Sequence, residues 1–122
     1  MQRLSKSMTK HRDIVPLGDM LDYGRRVVAK VTDISRIDFD ADENLQLATT
    51  HLLQIIGEAA GSVSEAARID HPEIDWPKIV GMRNRIVHDY RRIDLDVVWE
   101  TATLDVPRLV LALEAFMPSD PP

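Results

Sequence analysis

The chain has 122 residues, the length of one domain, with 44% apolar residues, only 5% aromatic ones and a formal charge of −5. The lack of cysteine excludes disulfides, thiolate metal sites and a cysteine nucleophile, and the apolar runs fall far short of the roughly 20 residues that cross a bilayer. Net acidity argues against a general nucleic-acid binder, and the basic start has no apolar leader stretch, so the default is a soluble cytoplasmic protein with no membrane partner.

Residues 1–12 carry a net charge of +4 and read as a basic tail, the kind of segment in which disorder concentrates. Residues 13–117 make a single helical domain, and the proline-rich end 118–122 is a second tail. Leu17, Met20, Leu21, Gly24, Val27, Val28, Val31 and Ile34 follow the i, i+3, i+4, i+7 spacing of an amphipathic helix. A second helix runs through Leu45, Ala48, Leu52, Ile55, Ile56, Ala59, Val63 and Ala66, with Asp40 and Glu43 at capping-box spacing before it. Its small residues Gly57, Ala59, Ala60 and Gly61 allow a neighbouring helix to approach closely. Ile69 to Asp75, with Pro72 inside, reads as a connection.

Asp75 and Pro77 suit the cap and first turn of a third, short helix carrying Ile79, Val80, Met82, Ile86 and Val87, which ends near Asp89 to Arg92. Asp94 caps a fourth helix through Leu95, Val98, Trp99, Ala102, Val106, Leu109, Val110, Leu113 and Phe116, which Pro107 kinks or divides. With no strand pattern, the expected fold is all-α, an up-and-down bundle of four to five helices.

Charge is segregated along this bundle: residues 13–75 sum to −8, 76–92 to +4 and 93–122 to −5. Two basic islands in an acidic chain can focus an anionic ligand at one place. Within the second island, Arg83 and His88 combine a fixed planar cation with an imidazole that titrates near neutrality. That pair suits phosphodiester cleavage in RNA: a base activates the 2′-hydroxyl and a cation stabilises the charge of the transition state, without a metal. Five residues on a straight helix turn through roughly 140°, so a loosened helix end or a second subunit must bring the two together. The spacing by itself also fits a surface Arg and a capping His. Tyr90 fits either a ring that closes the helix end or a phenol exposed beyond it. Trp76 and Trp99 read as core anchors, Tyr23 as a packed residue, Glu58 as a cleft or surface carboxylate, and His11, His51 and His71 as structural or solvated, with no metal-site spacing among them.

Arg83-Asn84-Arg85-Ile86-Val87-His88-Asp89-Tyr90 resembles the Arg-x4-His-x-Tyr signature of HepT toxins, a branch of the HEPN superfamily of helical nucleases. Further likeness runs through Ile55–Ala60, Pro72–Trp76, Ile79–Asn84 and Ile93–Trp99, in consistent order over residues 13–117. The resemblance implies a HEPN-like bundle that acts as a metal-independent endoribonuclease, needs no cofactor and forms a homodimer with a shared cleft. It assigns Arg83 and His88 as the catalytic pair and Asn84 as their support. It also implies a toxin–antitoxin pair, in which a minimal nucleotidyltransferase adds AMP to Tyr90 and silences the nuclease. Arg91 and Arg92 stand where the family often has an aromatic residue and a glycine; with Arg85 they are candidate RNA contacts, and Arg91 and Arg92 equally bear on partner docking. A second reading is a catalytically silent HEPN module that binds nucleotide or regulates a nucleotidyltransferase. A purely structural bundle leaves the basic island unexplained.

Overall fold

The computed structural model describes the backbone of residues 2–89 and 92–117 and the side chains of residues 12–87 and 92–117. Long helix α1 (Gln2–Val31) is followed by short α2 (Arg36–Asp40), long α3 (Glu43–Gly61) and short α4 (Glu65–Asp70). Two five-residue helices, α5 (Trp76–Val80) and α6 (Met82–Ile86), lead into an antiparallel hairpin of β1 (Val87–Asp89) and β2 (Arg92–Ile93). The chain closes with α7 (Leu95–Glu100), a π-helical turn (Thr101–Asp105) and α8 (Val106–Phe116) in continuous succession. The all-α bundle expected from periodicity is the observed architecture.

The apolar stripes pack on one another in one core. Helix α1 lies chiefly against α3 and α8, and Met20, Val27, Leu53, Ile56, Ala60, Met82, Ile86, Ala102, Val106 and Leu113 have no solvent exposure. Where α1 crosses α8, Gly24 is required: a Cβ there would stand 2.9 Å from a Val110 methyl. Trp99 packs on buried Phe39 at 5.1 Å between ring centroids, and Trp76 is buried with its indole N–H donating to the His71 carbonyl at 3.0 Å. Both tryptophans are thus the core anchors expected of them. Tyr23 is half-buried against the same core, with the Arg26 guanidinium over its ring.

The α3–α4 corner is held by polar groups. Asp13 of α1 is 2% exposed and accepts from the Ser64 amide at 2.9 Å and the Ser64 hydroxyl at 2.6 Å. The same hydroxyl accepts from the Ala67 amide and so caps α4. Arg68 donates to the carbonyls of Ala60, Gly61 and Val63, which satisfies acceptors that the end of α3 leaves without helical partners.

Several local expectations need correction. The second predicted helix divides at Ser62–Ser64 into α3 and α4, because Ser64 makes a better cap, tied to Asp13, than a helix residue. Asp42 caps α3, its carboxylate accepting from the Leu45 amide, while Asp40 ends α2 and pairs with Arg36. Asp40 and, after it, Asp96 hold the Arg36 guanidinium pKa above its ordinary value. The hairpin was not expected, because strands of three and two residues are too short to show a period. The last helix divides near Pro107 as expected, with Pro107 in the first turn of α8; the form of the division, a π-helical turn over Thr101–Asp105, was not expected.

Candidate active site

The basic island is built on α5 and α6. Asp75 caps α5, its carboxylate accepting from the Lys78 amide at 3.2 Å, and Pro77 occupies the first turn, where a missing N–H costs nothing. Gly81 joins the two helices, its amide donating to the Pro77 carbonyl at 2.9 Å. The pair sits on α3 at Gly57, where a Cβ would meet the Ile79 carbonyl oxygen at 3.3 Å and Met82 Cβ at 3.8 Å. Of the two glycines near the end of α3, Gly57 is therefore the one that admits the neighbouring backbone, whereas Gly61 faces open space.

On α6, Met82 and Ile86 are fully buried. Three to four residues make one turn, so anchoring both on the core fixes the rest outward: Arg83, Asn84 and Arg85 are all exposed. Arg85 also donates to the Lys78 carbonyl at 3.1 Å. The helix stops at Ile86, and Val87 is extended at φ −101°, ψ 107°. The Ile86 carbonyl accepts from the Asp94 amide at 2.7 Å, so the far side of the hairpin closes the helix end.

Pairing in the hairpin runs Val87 with Ile93 and Asp89 with Arg92, which leaves His88 as the extra residue of a bulge. Arg83 and His88 are therefore not two points on one continuous helix: the end of α6 lies between them, and His88 is in the bulged strand that follows. Bulges interrupt a ladder and are frequent beside active sites. The His88 and Asp89 side chains, and Tyr90 and Arg91 entirely, lie outside the described residues. Arg92 is exposed at the start of β2.

A cleft of about 190 Å³ opens between the segment before α5 and the outer side of α8, lined in part by Ile74, Lys78, Ile79, Asp105, Arg108 and Leu109. Neither Arg83 nor Asn84 lines it. Across its wall the Lys78 ammonium pairs with the Asp105 carboxylate at 3.0 Å. Sequence reasoning missed both residues; Lys78 lies in the basic island, but nothing in the spacing links it to a residue 27 positions away.

The other candidates are accounted for structurally. His71 stacks on Phe116 with ring centroids 3.5 Å apart, and His51 and Glu58 are exposed on α3. The His11 side chain is outside the described set. Among the described residues no group of three or more His, Cys, Asp or Glu side chains is arranged to hold a metal, and no helix is long and apolar enough to cross a membrane.

Several known proteins are similar to this chain. A family model described as "Ribonuclease HepT-like" matches residues 20–116. A Caldanaerobacter subterraneus protein named "Putative RNase" is 34% identical over 68% of this chain and 74% of its own length. A Thermococcus cleftensis protein named "Probable ribonuclease HepT" is 38% identical over 59% of this chain and 66% of its own. A Methanocaldococcus jannaschii "Putative RNase" is 31% identical over 80% of this chain and 90% of its own. No solved structure matches the chain. With a family model covering most of the helical domain and a relative above 30% identity along four fifths of the sequence, the chain belongs to the HepT-like ribonuclease family.

Proposed function

We propose that this protein is an RNA-cleaving toxin that works without a metal, with Arg83 and His88 as its catalytic residues. The observation that carries this reading is the α6 turn, in which buried Met82 and Ile86 fix Arg83 and Asn84 outward, immediately before the bulge that holds His88. In the proposed reaction His88 accepts the proton of a ribose 2′-hydroxyl, and that oxygen attacks the adjacent phosphorus. The bond from phosphorus to the 5′-oxygen breaks and the leaving oxygen takes up a proton, giving a 2′,3′-cyclic phosphate and a 5′-hydroxyl end. Arg83 offers its planar fork to the phosphate oxygens as negative charge accumulates, and Asn84 supports it with a neutral donor.

The same reading makes the active form a homodimer. In one chain the catalytic turn is an exposed surface outside the cleft, and a second copy turns two such surfaces into a shared groove. Arg85, Arg91 and Arg92 supply further positive charge along the RNA, with Arg85 also tied to the Lys78 carbonyl. Control is by a cognate nucleotidyltransferase antitoxin that attaches AMP to Tyr90, placing a phosphate among cations that otherwise hold RNA.

Expression of the wild type and of Arg83→Ala and His88→Ala variants tests the assignment. Each substitution is expected to abolish growth inhibition and to lower RNA cleavage by roughly two or more orders of magnitude, with helical content retained. Two folded variants that still cleave at the parental rate would remove both residues from the mechanism.

A further inference from the structure

We propose that Asp105 is a positioning residue for the cleavage turn, acting through Lys78 and Arg85; this rests on the reading of Arg83 as catalytic. Its origin is a backbone irregularity. Pro107 has no N–H, and in a straight α-helix its ring would press on the Thr103 carbonyl one turn back. The chain widens instead into a π-helical turn over Thr101–Asp105, in which the Val106 amide bonds the Thr101 carbonyl five residues back. Such single π turns interrupt helices frequently at functional positions. Here the turn carries Asp105, whose side chain is 13% exposed, into contact with the Lys78 ammonium at 3.0 Å.

From Lys78 the tie continues through the backbone. The Lys78 carbonyl accepts from Arg85 at 3.1 Å, and Arg85 shares its helical turn with Arg83 and Asn84. Lys78 and Arg85 stand on either side of the Gly81 junction, where the chain passes from α5 to α6. Helices of five residues do not hold their shape by internal hydrogen bonding alone, so the orientation of α6 depends on what braces it. Gly57 and the buried Met82 and Ile86 brace its inner side. Asp105, Lys78 and Arg85 brace its outer side, at a pair partly shielded from water, where an ion pair is screened less than at the surface. Arg83 is exposed, so its position is set by the α6 backbone more than by packing of its own side chain.

The test is steady-state cleavage of a labelled RNA by Asp105→Asn, Asp105→Glu and the charge-exchanged double variant Lys78→Asp/Asp105→Lys. Displacing a catalytic group by about 1 Å can cost on the order of a hundredfold in rate. A loosened brace is therefore expected to lower kcat roughly tenfold in Asp105→Asn with KM nearly unchanged, while Asp105→Glu and the double variant recover most of the loss. Amide hydrogen exchange over Met82–Ile86 should quicken in Asp105→Asn and return to the wild-type rate in the double variant, while α1 and α3 stay protected. A parental kcat in Asp105→Asn overturns the proposal. So does a general loss of helix, because Asp105 would then hold the fold instead of one turn. If the wild type cleaves no RNA while exchange over Met82–Ile86 still follows the charge at Asp105, the catalytic reading fails and the brace stands; unchanged exchange removes the brace alone.

Discussion

Arg83 and Asn84 face outward because Met82 and Ile86, one turn apart, cannot leave the core, and the two exposed residues inherit the geometry of that anchor. Tyr90 follows in sequence, and its proposed role depends on a hydroxyl that a partner enzyme can reach. Tyr90→Phe keeps the ring and removes the acceptor of AMP. Mass spectrometry after co-expression with a nucleotidyltransferase antitoxin should find added AMP on the Tyr90 peptide of the wild type and none on the variant, which stays toxic; AMP at Tyr23 instead would contradict the assignment. A structural counterpart at this scale is Asp13, far from the basic island in sequence and buried against Ser64. Asp13→Ala leaves the Ser64 amide and hydroxyl without their acceptor, and the expected loss is about 3 kcal/mol, read as a lower midpoint in urea.

At the scale of elements, the seating of α5 and α6 on α3 concentrates in Gly57. A leucine there would drive a side chain into the Ile79 carbonyl and the Met82 side chain, and overpacking of this kind costs typically 1–3 kcal/mol. Gly57→Leu is expected to lower Tm by roughly 3–15 °C and to reduce cleavage along with it, because the turn that carries Arg83 rests on this contact; a variant with parental Tm would mean that the helices part easily there. The close approach was legible in the small residues of α3, and the caps at Asp75 and Asp94 were legible from residue type and place alone. The hairpin and the π turn were not. Val87 and Ile93 continue the apolar pattern of the flanking helices, so the end of the helix shows only in the structure, in the extended backbone of Val87, its pairing with Ile93 and the bond from the Asp94 amide to the Ile86 carbonyl. Pro107 announced a disturbance but not its form, since a kink, a break and a widened turn all relieve the same clash. The signature residues were legible as a spacing; that His88 stands in a bulged strand beyond the Arg83 helix follows from strand pairing that no spacing encodes.

For the whole molecule, fold and family membership agree, and the open matter is how one small bundle makes a site for a polymer. In the proposed reading, the exposed cationic turn on a chain of net charge −5 confines RNA contact to one region, and two copies paired across that region would form a groove with two sets of Arg83 and His88. Sedimentation or mass photometry of the purified protein is expected to give twice the 13.8 kDa chain mass; a strict monomer at micromolar concentration would contradict the shared groove. The most direct test of the central claim is cleavage of an end-labelled RNA by the purified protein in excess chelator, with Arg83→Ala beside it. The account predicts cleavage by the wild type that leaves 2′,3′-cyclic phosphate ends, reduced at least roughly a hundredfold in the variant. Wild-type cleavage that stops in chelator, or an Arg83→Ala protein as active as its parent, would contradict it.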